Sequence, residues 1–323
     1  MPPAGSWNPP KTFRLKPGRR VSQDETENID EVLRKEAAAR FNLDPDVDSI
    51  DYINVGTVRQ GDEVKNEYIL FAADGQTIRS HIEMLELAGL RPVGLDPVAC
   101  ALFRSYRRFF RRQEDKEQAE VFVDVGSLFT TVVFGRNSDI GFVKHIPIGT
   151  ELFNKEIASR LGISPAEAET LRNRISKRNQ MSGTSGLHEK TSPADSSAGA
   201  DDDASTRQVI SEAIGAVCEK LAKEISLCFR YYTVTFRSRR AQRAIFSGGG
   251  SYETILLGVL AKYLTVEIDV AHPLNGMDMT GVDFGADRRG SHCEWAMAVG
   301  LALKGSNAEK SRSPVLAAQE SIG

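Results

Sequence analysis

Two glycine-bearing segments carry residue types that hold phosphate. The first is VFVDVGSLFTTVVF, residues 121–134. Asp124 ends an apolar run, Gly126 and Ser127 turn the chain, and Thr130 and Thr131 open the next run. Glycine lets backbone amides approach an anion closely. The hydroxyls of Ser127 and Thr130 can donate to phosphate oxygens, and an acid at a strand end can hold Mg²⁺ through its water shell. The setting is strand–turn–strand, which departs from both the dinucleotide fingerprint and the P-loop. Taken alone, DVGS reads equally as a hairpin with a solvated aspartate. The second segment is IFSGGGSYETILLGVL, residues 245–260, where Gly248, Gly249 and Gly250 lie between a strand pattern and a helix pattern. Free amides at a helix start make an anion cradle. The alternative is a passive loop, which three glycines disfavour through their backbone entropy. Between the two segments, Glu169, Arg172 and Ser176 of AETLRNRIS share one helix face, by itself an ordinary polar face.

The elements that must position these turns follow from periodicity. Helical spacing starts near Glu25, with Ile29, Val32, Leu33, Ala37 and Phe41 on one face. Two β-rich runs, 51–58 and 67–74, flank the polar turn RQGDEVKN and predict a hairpin. Residues 75–89 return to helical spacing, and Gly89 ends it. RPVGLD predicts a short strand, and the following helix is expected to have Asp96 as N-cap and Pro97 as its first residue. VFVDVG reads as a buried strand, with TTVVF and GFVKHIPIG as two more. A helix spans 150–162, and Ser164 with Glu167 forms a capping box for the next. A long helix runs from Gln208 to about Thr233 on the stripe Ile210, Ile214, Val217, Leu221, Ile225 and Cys228. A strand lies on each side of the helix after the triple glycine, and HCEWAMAVGLALK is a last apolar helix. Strands alternating with helices from about residue 120 indicate an α/β domain.

Composition excludes several classes. The 323 residues are 41% hydrophobic and 26% charged with a net charge of -3, so nothing global favours nucleic acid or an anionic membrane surface. No run approaches the ~18 apolar residues of a membrane helix. The four cysteines and five histidines form no metal spacing. The basic run Arg104, Arg107, Arg108, Arg111 and Arg112 suits the C-terminal end of a helix.

The pieces occur in a telling order: DVGS in a hairpin, then IPIGTELFNKEIASRLGIS, then AETLR, a long helix, SGGGS and WAMAVGLAL. That order resembles the actin/DnaK/FtsA superfamily, and its PilM branch most of all. Residues 67–105 resemble that family's small inserted subdomain and its exit helix. The resemblance implies an α/β, actin-like (ribonuclease H-like) ATPase fold. Its expected organisation is a tail (1–20), an incomplete first domain with the small α+β subdomain (21–115), a complete second domain (116–304) and a second tail (305–323), with 177–206 as a disordered insertion. It further implies that Asp124, Gly126, Ser127 and Thr130 form the second phosphate loop. Gly149 and Thr150 would face the nucleotide, Glu169 and Arg172 would bracket ribose and adenine, and Gly248, Gly249 and Gly250 would form the adenosine loop.

Family members begin with a further DIGSS-like hairpin, and nothing upstream of VSQDETENIDEVLRKEAAARF matches it. The expected function is therefore a cytoplasmic scaffold of a type IV pilus or related secretion machine, peripheral to the inner membrane. It would bind the cytoplasmic tail of a PilN-type membrane protein. ATP and Mg²⁺, with Asp124 holding the metal through water, would bind weakly or as a regulator. The alternatives are a working ATPase or sugar-kinase-like phosphotransferase, and an FtsA-like division protein. The polar tail KGSNAEKSRSPVLAAQESIG lacks the amphipathic helix that the last would need.

Overall fold

The computed structural model describes residues 11–14, 29–42, 44, 47–60, 63–109, 119–136, 139–183, 200–236, 241–284 and 290–304. The elements in chain order are β1 (Lys11–Arg14), α1 (Ile29–Phe41), β2 (Ser49–Gln60), β3 (Glu63–Ala73), α2 (Gly75–Leu87), α3 (Val98–Arg107), β4 (Glu120–Val125), β5 (Thr130–Arg136) and β6 (Asp139–Ile146). They continue as α4 (Thr150–Leu161), α5 (Pro165–Gly183), α6 (Ala200–Phe236), β7 (Arg243–Ser247), α7 (Thr254–Tyr263), β8 (Glu267–Val270) and α8 (Ala296–Ala302). Short 3-10 turns at Gly249–Tyr252 and Cys293–Trp295 precede α7 and α8.

A five-stranded sheet of order β6-β5-β4-β7-β8 carries the larger domain. β4 pairs antiparallel with β5 but parallel with β7, and β7 is parallel to β8. Alternation along β4 sends Val121, Val123 and Val125 to one face and Phe122 to the other. The first face is covered by α4, α6 and α7. The stripe read from the sequence (Ile210, Ile214, Val217, Leu221, Ile225, Cys228) is buried there. Each such aliphatic side chain contributes about 1.5–3 kcal/mol on burial. Tyr232 extends the stripe and stacks on Phe134 at 4.5 Å between centroids. The second face is covered by α3 and α8, with Tyr106 stacked on Phe122 at 5.0 Å.

The smaller sheet, β1-β3-β2, is antiparallel throughout. Leu70 and Ala72 of β3 pack on Leu33, Ala37 and Phe41 of α1, while Ile69 and Phe71 turn to the α3 side and join the larger domain's core.

Several local expectations give way to longer-range structure. The hairpin strands run further than the apolar residues suggest, leaving only positions 61–62 between them. Cross-strand hydrogen bonds carry the ladder through polar positions such as Arg59 with Val64. Lys11–Arg14, inside the segment read as a tail, forms the edge strand β1, because β3 offers it an unpaired row of backbone groups. α5 continues to Gly183 and α6 begins at Ala200, so helix reaches into the 177–206 insertion from both ends. Residues 184–199 and 305–323 lie outside the described residues. RPVGLD forms no strand. A strand needs a neighbour, and no described segment lies alongside this one in a ladder. Asp96 does not cap α3, whose N-cap is Pro97. Its carboxylate instead takes Arg104 at 2.7 Å and Lys304 at 3.2 Å, tying the start of α3 to the end of α8.

The α3–α8 crossing is close. A Cβ on Gly300 would stand 1.8 Å from the Ala101 carbonyl oxygen. Gly300→Ala is therefore expected to destabilise the protein by about 1–3 kcal/mol, the usual range for overpacking. Urea unfolding measures it, and an unchanged midpoint would contradict this contact.

Candidate functional site

The parallel pairing of β4 and β7 sets Asp124 beside Ser247 in the ladder. Each strand then ends in its glycine turn, so both turns emerge at the same edge of the sheet, where ligands of α/β folds gather. Ser247 Oγ donates to Asp124 Oδ1 at 2.9 Å. Gly248 has φ +82, and a Cβ there would meet the Val125 carbonyl oxygen at 2.5 Å and Asp124 Oδ1 at 3.0 Å. A Cβ on Gly250 would stand 2.3 Å from Val125 Cγ1. Only glycine allows the second turn to lie this close against the end of β4.

Gly149 joins the first turn in the same way, its Cβ position being 2.3 Å from the Ser127 carbonyl oxygen. The Thr150 and Glu151 amides donate to the Gly126 and Ser127 carbonyls at 3.0 and 2.8 Å. The first two amides of α4 are thereby committed to the turn. Thr130 is buried, and its hydroxyl donates to the Ile148 carbonyl at 2.7 Å. It braces the loop from inside the fold. Ser127 and Gly249 are exposed on the two turns, with Asp124 half-buried between the strand ends.

The structure thus brings Asp124, Gly126, Ser127, Gly149, Thr150, Gly248, Gly249 and Gly250 together. It separates Glu169 from Arg172. Glu169 is exposed on α5, whereas Arg172 turns inward. Arg172 Nε donates to Asn154 Oδ1 at 3.0 Å, and Nη1 lies 3.8 Å from Glu253 Oε2. Its guanidinium also stands 6.0 Å from the Phe153 ring centroid. Asn154 and Glu253 thus hold the Arg172 guanidinium between α4 and the start of α7.

The residues missed in the sequence are Ser247, Asn154, Glu253 and Cys293. Ser247 was readable as the last residue before the glycines, at the ladder position opposite Asp124. Asn154 announces itself by occupying a buried position of α4. Glu253 gave no signal, since its partner is more than a helix away in sequence. Cys293 secures the glycine turn from below: its carbonyl accepts from the Gly248 amide at 3.1 Å, and its Sγ lies 3.5 Å from the Gly248 carbonyl.

Burial raises the Asp124 carboxyl above the ordinary aspartate range, opposed by the Ser247 hydrogen bond. Burial likewise raises Glu253, opposed by the charge of Arg172. Among the described residues no group of three or more His, Cys, Asp or Glu side chains could hold a metal ion. A divalent cation here would rest on Asp124 and on whatever oxygens a ligand brings.

A carboxyl whose folded pKa is raised binds its proton more tightly in the native state. It therefore destabilises the fold increasingly as pH rises from the unfolded value near 3.9 through the folded one. Asp124→Asn should stabilise the ligand-free protein at pH 7 by about 0.5–2 kcal/mol, a gain typical of relieving a strained site. The gain should vanish as pH falls below about 3.9. Thermal melts of both forms across pH test this, and a destabilised Asp124→Asn protein at pH 7 would contradict it.

Comparison with known proteins bears on the fold. Residues 24–181 match the family described as type IV pilus assembly protein PilM. No curated protein matches the chain by sequence. Among solved structures, the chain is similar to one in the "PilM-PilN type IV pilus biogenesis complex", with TM-score 0.65 and 19% identity over 91% of this chain and 75% of that one. It is also similar to the ethanolamine utilization protein EutJ from Carboxydothermus hydrogenoformans, with TM-score 0.46 and 17% identity over 72% of this chain and 62% of that one. An archaeal actin homolog, Ta0583, matches with TM-score 0.39 and 15% identity over 65% and 55%. Sheet order and structural likeness converge: the chain has the actin-like α/β fold, and residues 24–181 match the PilM family.

Proposed function

We propose that this chain is a cytoplasmic scaffold in type IV pilus assembly, and that it binds the cytoplasmic tail of a PilN-type inner-membrane protein. The observation that carries this reading is the match of residues 24–181 to the PilM family, supported by the likeness over 91% of the chain to a structure of a PilM–PilN complex. No helix among the described residues is long and apolar enough to cross a membrane. In this reading the chain reaches the membrane through its partner.

Nucleotide enters as an effector that favours one conformation by linkage. The groove between the glycine turns suits ATP with Mg²⁺ in its small residues and single acid. Gly249 and Ser127 would meet phosphate oxygens, and Asp124 would hold the metal through water. Gly149 and Thr150 shape the first turn, while Glu169 and Arg172 would stand toward the sugar and base, Arg172 held in place by Asn154 and Glu253. The bound metal would supply charge neutralisation of the phosphates. The chain's own residues position and shield. With the Thr150 and Glu151 amides already committed, few donors remain for phosphate, which favours weak binding over rapid turnover.

Calorimetry with a synthetic PilN-type tail peptide, with and without ATP and Mg²⁺, tests the partner. Saturable binding in the micromolar range is expected, and absence of binding in both conditions would overturn the scaffold reading. ATP hydrolysis should stay well below about 1 per second, since ordinary enzymes reach that rate or more. Faster turnover would make the protein an enzyme.

Gly249 offers a clean probe of the groove. Nothing lies within 4 Å of a Cβ added there, so Gly249→Asp places a negative side chain at the turn without a clash. It should abolish binding of a fluorescent ATP analogue and leave the melting temperature within about 2 °C, as expected for an uncrowded surface position. Unchanged analogue binding would remove Gly249 from the site. Gly250→Ala, with its 2.3 Å contact to Val125, should instead lower the melting temperature.

A further inference from the structure

One row of side chains on the larger sheet is polar where its neighbours are apolar. On the face covered by α3 and α8, Ile245, Phe122, Val133 and Val143 stand side by side across β7, β4, β5 and β6, and all four pack into the core. Two residues nearer the glycine turns, the same face carries Ser247, Asp124, Thr131 and His145 in the same strand order. Hydrogen bonds join this row in two pairs: Ser247 Oγ to Asp124 Oδ1 at 2.9 Å, and Thr131 Oγ1 with His145 Nδ1 at 3.0 Å. Ser247 and Thr131 are buried, whereas Asp124 and His145 are half-buried. The row is the line at which the core gives way to the groove. Tyr106 of α3 stands over its Ser247 end and is 1% exposed. Its hydroxyl meets no partner at hydrogen-bonding geometry among the described residues, yet it lies close enough to Ser247 and Asp124 for both to act on its ionisation. A buried hydroxyl in this state is costly until a ligand or water completes it.

We propose, resting on the nucleotide reading above, that this row is a phosphate platform and that His145, oriented by Thr131, contacts the terminal phosphate of a nucleoside triphosphate. The groove then prefers a triphosphate to a diphosphate. Topology sets the direction. The second glycine turn leaves β7 directly after Ser247, and the first leaves β4 just after Asp124. A nucleotide with its sugar at the second turn and its phosphates at the first runs along the row from Ser247 toward His145. Three strand spacings put β6 roughly 14 Å from β7, so the phosphate farthest from the sugar is the one that meets His145. The ring chemistry suits that contact. Burial lowers the His145 pKa, and the charge of Lys144 adds to this, so the ring is neutral at pH 7. With the Thr131 hydroxyl donating to Nδ1, the ring proton sits on Nε2, which then donates to a phosphate oxygen. The apolar row behind it keeps the platform from sinking into the sheet.

Titration of the full chain with fluorescent ADP and ATP analogues in the presence of Mg²⁺ reads this preference. The unsubstituted protein is expected to bind the triphosphate about tenfold or more tightly than the diphosphate, the size of one hydrogen bond to a charged group. His145→Leu should lower triphosphate affinity about tenfold and leave diphosphate affinity within about twofold. Thr131→Val keeps the side-chain shape and removes the hydroxyl that orients the ring. It should reduce the preference about threefold or more, and it stands in for His145→Leu if that protein does not fold. An equal loss for both nucleotides, or an unchanged preference in the folded variants, would overturn the phosphate platform while leaving the nucleotide reading in place. If the unsubstituted protein binds neither analogue, the nucleotide reading falls and the platform falls with it.

Discussion

The parallel pairing of β4 with β7 is the constraint on which the candidate site rests. These strands are separated in sequence by β5, β6, α4, α5 and the long helix α6. Their alignment puts Asp124 next to Ser247 and sends two glycine turns out of the same sheet edge. Every other feature of the groove is a consequence. Gly248 and Gly250 must lack side chains because the end of β4 occupies that space, and Gly149 must because the first turn does. A shift of the ladder by one residue would put a side chain where two backbones now touch.

That alignment is maintained by cores on both faces of the sheet. On one side α6 contributes its apolar stripe, and on the other α3 and α8 cross so closely that only Gly300 fits. The Cys293 carbonyl then receives the Gly248 amide, so the turn that leads into α8 is joined to the second glycine turn. Arg104, Asp96 and Lys304 fasten the other end of the same helix to α3. The elements that cover the sheet are therefore also the ones that position the turn. Motion of α3 against α8 would be felt at Gly248.

Features set by nearest neighbours in sequence were legible before the structure. The capping box is one: the Ser164 amide donates to Glu167 Oε2 at 2.8 Å, and the Glu167 amide donates back to Ser164 Oγ at 3.3 Å. The α6 stripe and the two glycine turns are others, because their patterns are periodic or chemically distinctive. What was not legible depends on partners far along the chain. Arg172 reads as a surface residue until Asn154 and Glu253 come beside it. Asp96 has every mark of an N-cap, yet two cations compete for it and one carboxylate cannot serve both roles. RPVGLD has the composition of a strand, but composition cannot supply a neighbour.

Two buried acids adjoin the second glycine turn. Asp124 and Glu253 are both raised by burial, which means the fold keeps them at a cost to its own stability. Such acids relax when a cation arrives, so ligand and metal would stabilise the folded state in proportion to the strain they relieve. Glu253 already has Arg172 near it, whereas among the described residues Asp124 has only the hydroxyl of Ser247. The two acids are consequently unequal: Glu253 belongs to the scaffold that joins α5 to α7, and Asp124 is the one whose charge a ligand can still answer. A cation that reached the glycine turns would therefore act on the Asp124 carboxylate before that of Glu253.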